Sequence, residues 1–251
     1  NGTTAENPVL SVDEKQLVLQ FVLKVTAGRI PVVFGIGGNN THALVEELEA
    51  FNTDGVSAIL SASPYYNKPS QEGIYQHYAA LSAASPLPLI LYNVPGRTSS
   101  NMSAQTTVRL AKNFGNIVAI KEASGNLDQI TEILLERPAD FQVISGDDNL
   151  TFAMMALGAE GVISVSGQGV PEVFCTMVNH LSAGQWIQAR AAHLSIYDLT
   201  NQLFEEGNPV GIKALLEARG ITTAAVRLPL VEASSDLKNS LIASLEVLSL
   251  V

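Results

Sequence analysis

Stretches of β-branched and aliphatic residues recur along the chain at near-regular intervals, and each is followed by a helical pattern. The runs begin near Val32, Val56, Leu89, Ile117, Phe141 and Val162, so successive starts lie 24, 33, 28, 24 and 21 residues apart. That interval is the length of one strand plus one covering helix. Strands alternating with helices imply a parallel sheet buried on both faces. Helix starts are marked as well. Ser11 and Glu14 have the spacing of a capping box, and Leu17, Val18, Phe21, Val22 and Val25 then trace one apolar face. Thr41, Ser103 and Asn126 are expected N-caps, and Pro171 suits a first helical turn, where its missing N–H costs nothing. Beyond Val165 the strand signal stops, and residues 171–181, 184–206, 209–219 and 236–248 all carry helical patterns.

Parallel sheets of this kind are either open, with ligands gathered at one switch point, or closed into a barrel, with polar residues at many strand ends. Here polar or glycine clusters follow nearly every strand: 35–40, 61–67, 92–97, 121–125, 145–148 and 164–169. The expected fold is therefore α/β, a (β/α)8 TIM barrel, with the barrel part over residues 1–182 and a helical appendage over 183–251. A closed barrel needs eight strands, and six are visible.

Composition narrows the function classes. With 24 acidic against 14 basic residues the net charge is −10, which leaves no basic surface excess to neutralise phosphates and argues against nucleic acid. Hydrophobic residues make up 47%, enough for a sizeable core and against disorder. No apolar run approaches the roughly 18 residues of a membrane span, and no signal peptide is expected. The single cysteine, Cys175, excludes an internal disulfide and suits a reducing cytoplasm. The four histidines, at 42, 77, 180 and 193, show no metal-ligand spacing, so no metal is expected.

Lys121 is the most informative residue. Of the seven lysines it alone directly ends an apolar strand, and alternation puts Ile117, Ala119 and Lys121 on one face. Facing a low-dielectric interior, its amine would lose its charge more readily and become nucleophilic, able to form a Schiff base with a carbonyl. From position alone, a solvated strand-end lysine, or a partner for Glu122, is the more ordinary reading. Tyr92 closes the preceding strand; it could relay protons or be a satisfied core tyrosine. Arg97 could clamp a carboxylate with its planar fork or make a surface ion pair. The adjacent aromatics Tyr65-Tyr66 stand in a polar loop that is either a site or a loop anchor. Gly2-Thr3-Thr4 offers hydroxyls and close backbone approach. Gly35-Ile-Gly37-Gly38 lacks the spacing of a dinucleotide-binding fingerprint. Gly146-Asp147-Asp148 reads as a tight strand-to-helix turn capped by Asp rather than as a magnesium ligand pair.

Taken together, Gly2-Thr-Thr-Ala-Glu6, Pro64-Tyr-Tyr-Asn-Lys-Pro-Ser-Gln-Glu-Gly73, Tyr92-Asn-Val-Pro-Gly-Arg-Thr98, Ile120-Lys-Glu-Ala-Ser-Gly-Asn126, Ser145-Gly-Asp-Asp148 and Gly161-Val-Ile-Ser-Val165 are similar, in order and across almost the whole chain, to one family. The chain resembles the dihydrodipicolinate synthase/N-acetylneuraminate lyase family of Schiff-base class I aldolase barrels. The resemblance implies that Lys121 forms the Schiff base with pyruvate and that Tyr92, Thr3 and Tyr66 relay protons, Tyr66 being supplied by a neighbouring subunit. Thr4 and the backbone around Ile163 would hold the pyruvate carboxylate, with Gly146 beside that site. Arg97 would bind the carboxylate of the second substrate, aspartate 4-semialdehyde, on the route to diaminopimelate and lysine. No cofactor is implied, and a cytoplasmic homotetramer, a dimer of dimers, is. Another pyruvate-dependent aldolase and a non-catalytic member of the family stand as alternatives.

The resemblance also exposes departures. Two strands would precede the Gly-Thr-Thr motif, so the first two strands of the barrel are expected to be missing ahead of residue 1. Ala5 replaces a glycine, with tolerable effect expected, and Gly211 replaces a common proline, with little expected consequence. Lysine-inhibited members carry histidines and a Glu at a dimer-interface site. Val12, Lys15 and Ala43 stand there in this chain, while Asn39 and Tyr65 remain, so lysine feedback is expected to be weak or absent.

Overall fold

The computed structural model describes residues 1–250. A 3-10 turn (Asn7–Val9) leads into α1 (Val12–Thr26), β1 (Val33–Gly35), α2 (Thr41–Glu49), β2 (Ala58–Ala62), α3 (Gln71–Ala84), β3 (Leu89–Asn93), α4 (Pro95–Thr98), α5 (Ala104–Asn113), β4 (Ile117–Glu122), α6 (Leu127–Glu136), β5 (Gln142–Ser145), α7 (Thr151–Leu157) and β6 (Gly161–Val162). The helices α8 (Ser166–Gly169), α9 (Pro171–Ser182), α10 (Trp186–Ser195), α11 (Tyr197–Glu205), α12 (Val210–Ala218) and α13 (Ser235–Val247) follow. All five strand pairs are parallel, and the spatial order is β1-β2-β3-β4-β5-β6. A doubly wound sheet reverses its order at a switch point. This one never does, so it has the winding of a (β/α)8 barrel, six strands of which are present, followed by helices. No described helix is long and apolar enough to cross a membrane.

The chain forms two compact units. One holds Asn1–Gly2, Ser11–Asp147 and Leu157–Val162; the other holds Thr3–Leu10, Asp148–Ala156 and Ile163–Val251. In the first, one sheet face carries a small core of Ala58, Ile90 and Ala119 with Leu60, Val118 and Ile144 packed against it. On the other face Leu89, Leu91 and Ile120 are buried, as are Ile74 and Leu81 of α3, Leu110 of α5 and Ile130 and Ile133 of α6. Each such side chain contributes roughly 1.5–3 kcal/mol on burial.

Strand β4 is less regular than its sequence suggests. Leu89 pairs with Ile117 but Ile90 pairs with Ala119, so Val118 is an extra residue opposite β3. One inserted residue flips every side chain before it. Ala119 and Lys121 share a face as expected; Ile117 does not, and turns to the other side beside Leu89.

The capping box at Ser11 and Glu14 forms, as do the Ser103 and Asn126 caps, and Pro171 opens α9. Thr41 is not a cap: Asn40 caps α2, and the Thr41 hydroxyl bonds His77 Nδ1 at 2.8 Å instead. The apolar stripe of α1 faces outward, with Leu17 and Phe21 64% and 67% exposed. The helix packs instead through Leu19 and through Leu23, whose Cδ2 would lie 2.9 Å from a Cβ on Gly55.

His77 lies buried on α3, with Nε2 lacking a hydrogen-bond partner among the described residues. Burial pushes its pKa down to about 4. The unfolded chain binds that proton from about pH 6.5 downward. The stability held by neutral His77 is therefore complete above pH 6.5 and lost as pH falls to 4, by on the order of 3 kcal/mol. His77→Gln should flatten the fall in Tm between pH 7 and pH 4.5; parallel curves for the two proteins would contradict this.

In the second unit the helical pattern over 184–206 is two helices. The chain turns at Ile196 (φ −112°, ψ 5°), which is buried, so that α10 packs on α9 while α11 packs on α12 and α13. Gly211 matters more than expected. A Cβ there would lie 2.5 Å from the Leu203 carbonyl oxygen, so α11 and α12 approach each other at a distance that excludes any side chain. Ala5 is exposed and outside the positive-φ region, consistent with a tolerated methyl.

Candidate active site

Three strands of the first unit end together. Tyr92 of β3 pairs with Lys121 of β4, and Lys121 pairs with Ile144 of β5, so all three project from one sheet face. The ladder continues past the strand ends: Ser63 N donates to Tyr92 O (2.9 Å), Ala123 N to Asn93 O (2.9 Å) and Gly146 N to Glu122 O (2.8 Å). Backbone pairing therefore continues past Tyr92 and Lys121. The Lys121 side chain is half-buried, and its Nζ lies 4.3 Å from the centroid of the Tyr92 ring, itself buried. A ring face is an electrostatically favourable seat for an ammonium. Gly146 forms the adjoining wall. A Cβ there would sit 3.0 Å from both Cγ and Cε of Lys121 and 2.9 Å from Ala123 Cβ.

Arg97 stands on the single-turn helix α4, which Pro95 opens. It is exposed and, among the described residues, makes no ion pair, so a surface partner is not what holds it. Tyr66 sits in the loop after β2 at φ 70° and is 87% exposed; its ring is presented outward, away from burial. Neighbouring Asn39 and Asn67 bind that loop, with Asn39 Nδ2 donating to Tyr65 O (3.2 Å) and Asn67 Nδ2 to Asn39 O (3.3 Å).

The second unit contains Thr3, Thr4 and Ile163. Asn208 Nδ2 donates to Thr4 Oγ1 at 3.0 Å, which turns the Thr4 hydroxyl hydrogen toward another acceptor. Glu6 pins this segment: its carboxylate accepts from Lys213 Nζ and from the Arg227 backbone N–H (2.8 Å). Just after Ile163, the backbone N–H groups of Val165 and Ser166 donate to the buried Asp148 carboxylate at 3.0 and 2.7 Å. The Asp148 carboxylate thus holds the 165–166 turn just beyond Ile163.

What sequence reasoning missed lies behind Lys121. Asn93, Asn101, Glu122 and Gln129 form a hydrogen-bonded polar cluster on the helix-facing side of the sheet. Its signal was available in the alternation: the residues following Tyr92 and Lys121 had to point to the opposite face, yet both are polar. Among the described residues, no group of three or more His, Cys, Asp or Glu side chains converges to hold a metal ion.

Residues 1–248 match the model of the dihydrodipicolinate synthetase family. The 4-hydroxy-tetrahydrodipicolinate synthase of Parabacteroides distasonis is 52% identical over 230 residues, covering 92% of this chain and 77% of that protein. Among solved structures, dihydrodipicolinate synthase from Aquifex aeolicus superposes with a TM-score of 0.95 at 40% identity, covering 99% of this chain and 85% of that one. The enzyme from Cyanidioschyzon merolae, solved with lysine bound, superposes with a TM-score of 0.95 at 37% identity, covering 100% of this chain and 85% of that one.

Proposed function

We propose, from the premise that this chain belongs to the dihydrodipicolinate synthetase family, that Lys121 is the amine that binds pyruvate covalently. The chain is an enzyme of that family, with the lyase activity of the 4-hydroxy-tetrahydrodipicolinate synthases. The observation that carries the Lys121 reading is its amine, half-buried at a strand end and 4.3 Å from the Tyr92 ring centroid.

The chemistry follows from the amine. Lys121 Nζ adds to the ketone carbon of pyruvate, and loss of water gives an imine. Removal of a methyl proton converts this to an enamine, whose carbon adds to the aldehyde of aspartate 4-semialdehyde. The amino group of that substrate then closes the ring and displaces Lys121. Each stage moves a proton, and Tyr92 is the proposed carrier, with Thr3 and Tyr66 continuing the relay. Thr4 and the backbone at Ile163 hold the pyruvate carboxylate, and the exposed Arg97, without an ion pair among the described residues, receives the carboxylate of the second substrate. The outward Tyr66 suits delivery into a neighbouring copy, and a cytoplasmic homotetramer built as a dimer of dimers belongs to the same proposal.

Incubation with pyruvate and borohydride, followed by peptide mapping, tests the reading. An adduct on the Lys121 peptide is expected; a folded protein with no adduct would oppose it.

The lysine-bound relative makes feedback a second matter. Here Lys15 would repel a lysine ligand, and Ala43 removes a counter-charge. Millimolar lysine is therefore expected to leave the activity within about twofold of its starting value, a change of under ~0.5 kcal/mol. Half-maximal inhibition below 1 mM (about 4 kcal/mol of binding) would refute this.

A further inference from the structure

Directly behind Lys121, on the opposite face of β4, Glu122 is 0% exposed. Its carboxylate faces amides and, among the described residues, no cation. Ser124 N donates at 2.6 Å, Asn93 Nδ2 at 3.0 and 3.2 Å to its two oxygens, and Gln129 Nε2 at 3.2 Å. Burial holds the Glu122 carboxyl above the ordinary carboxylate range, against the pull of these donors. A buried polar group at this cost persists only when its partners are fixed.

They are fixed in direction as well as place. Asn93 Oδ1 accepts from Met102 N (3.0 Å), which leaves its Nδ2 to donate to Glu122 and to Asn101 Oδ1 (2.8 Å). Gln129 Oε1 accepts from Asn101 Nδ2 (2.7 Å), which orients its Nε2 toward Glu122. Gln71 Nε2 donates to Asn101 O (2.7 Å), and Gln71 Oε1 accepts from Ser103 N (3.0 Å). The carboxylate is thus the acceptor into which amides from β3, from α6 and from the loop after β4 converge, and α3 braces the cluster through Asn101. Moreover, Asn93 and Glu122 are register partners, one rung beyond the pair Tyr92 and Lys121.

We infer that Glu122 is a positioning residue for the Schiff-base reaction: with Asn93 and Gln129 it locks the last rung of β3 and β4, and so holds the Lys121 amine over Tyr92. This rests on the reading of Lys121 as the nucleophile. Strand ends fray unless tied, and a displacement of about 1 Å at a reacting group can cost on the order of 100-fold in rate. Because Glu122 never faces the reacting side, its effect runs through the backbone of the shared strand.

The test is the rate of borohydride-trapped pyruvate adduct formation on Lys121, together with kcat and KM, in variants shown to be folded. Glu122→Gln places N–H groups against donors that cannot reverse without losing Met102 N or Asn101 Nδ2. Its kcat should fall about 100-fold, with KM for pyruvate changing far less. The exchange Glu122→Gln/Gln129→Glu restores one carboxylate facing one amide and should recover most of that rate. If Glu122→Gln fails to fold, Gln129→Leu, which removes a single donor, should still slow adduct formation roughly tenfold, in keeping with loss of one hydrogen bond to a charged group. Parental rates in the folded single variants would overturn the inference. So would an exchange variant that regains thermal stability but not rate. Failure of the parent protein to form an adduct on Lys121 would instead strike the nucleophile assignment itself.

Discussion

Lys121→Arg is expected to abolish pyruvate adduct formation and to lower kcat/KM by about 1,000-fold or more. Arginine keeps the positive charge and most of the stem, so the half-buried seat over the Tyr92 ring stays occupied and the fold is retained. What disappears is the primary amine: a guanidinium stays protonated at any working pH and cannot add to a ketone. The variant thereby separates covalent catalysis from simple electrostatic binding of pyruvate. Circular dichroism would check that the variant folds, and mass spectrometry after borohydride would check for the adduct. An adduct persisting on one of the other six lysines, or activity within tenfold of the parent (about 1.4 kcal/mol), would defeat the assignment.

Gly146→Ala carries the second large effect. The added methyl would meet the Lys121 stem at 3.0 Å and Ala123 Cβ at 2.9 Å. The alanine beside it cannot turn away, so the lysine must. Overpacking of this kind costs about 1–3 kcal/mol, but the larger expected effect is kinetic, because the stem that moves carries the proposed nucleophile. A loss near 100-fold in adduct formation is expected, with a cooperative melt retained. The same substitution leaving both rate and Tm unchanged would mean that Lys121 does not use this wall.

Much of the architecture was legible because it depends on neighbours close in sequence. The six apolar runs became the six strands, and Ser11, Ser103, Asn126 and Pro171 opened helices as their local chemistry requires. The departures share one cause. Ile117 left the face of Lys121 because Val118 bulges against β3. Thr41 spent its side chain on His77, a partner far away in sequence. Ile196 interrupts an apolar periodicity that looked continuous, because the two halves pack against different helices. Gly211 looked incidental until the Leu203 carbonyl stood against it.

The sequence by itself determined the alternation of strands and helices and, through its ordered motifs, the family resemblance, for periodicity, capping and motif spacing are local properties. Tertiary structure alone decided which side of β4 carries the amine, what wall the amine rests on and where the buried carboxylate behind it finds its donors. Those outcomes follow from strand register and from amide orientation, and both are set by hydrogen bonds between residues distant along the chain.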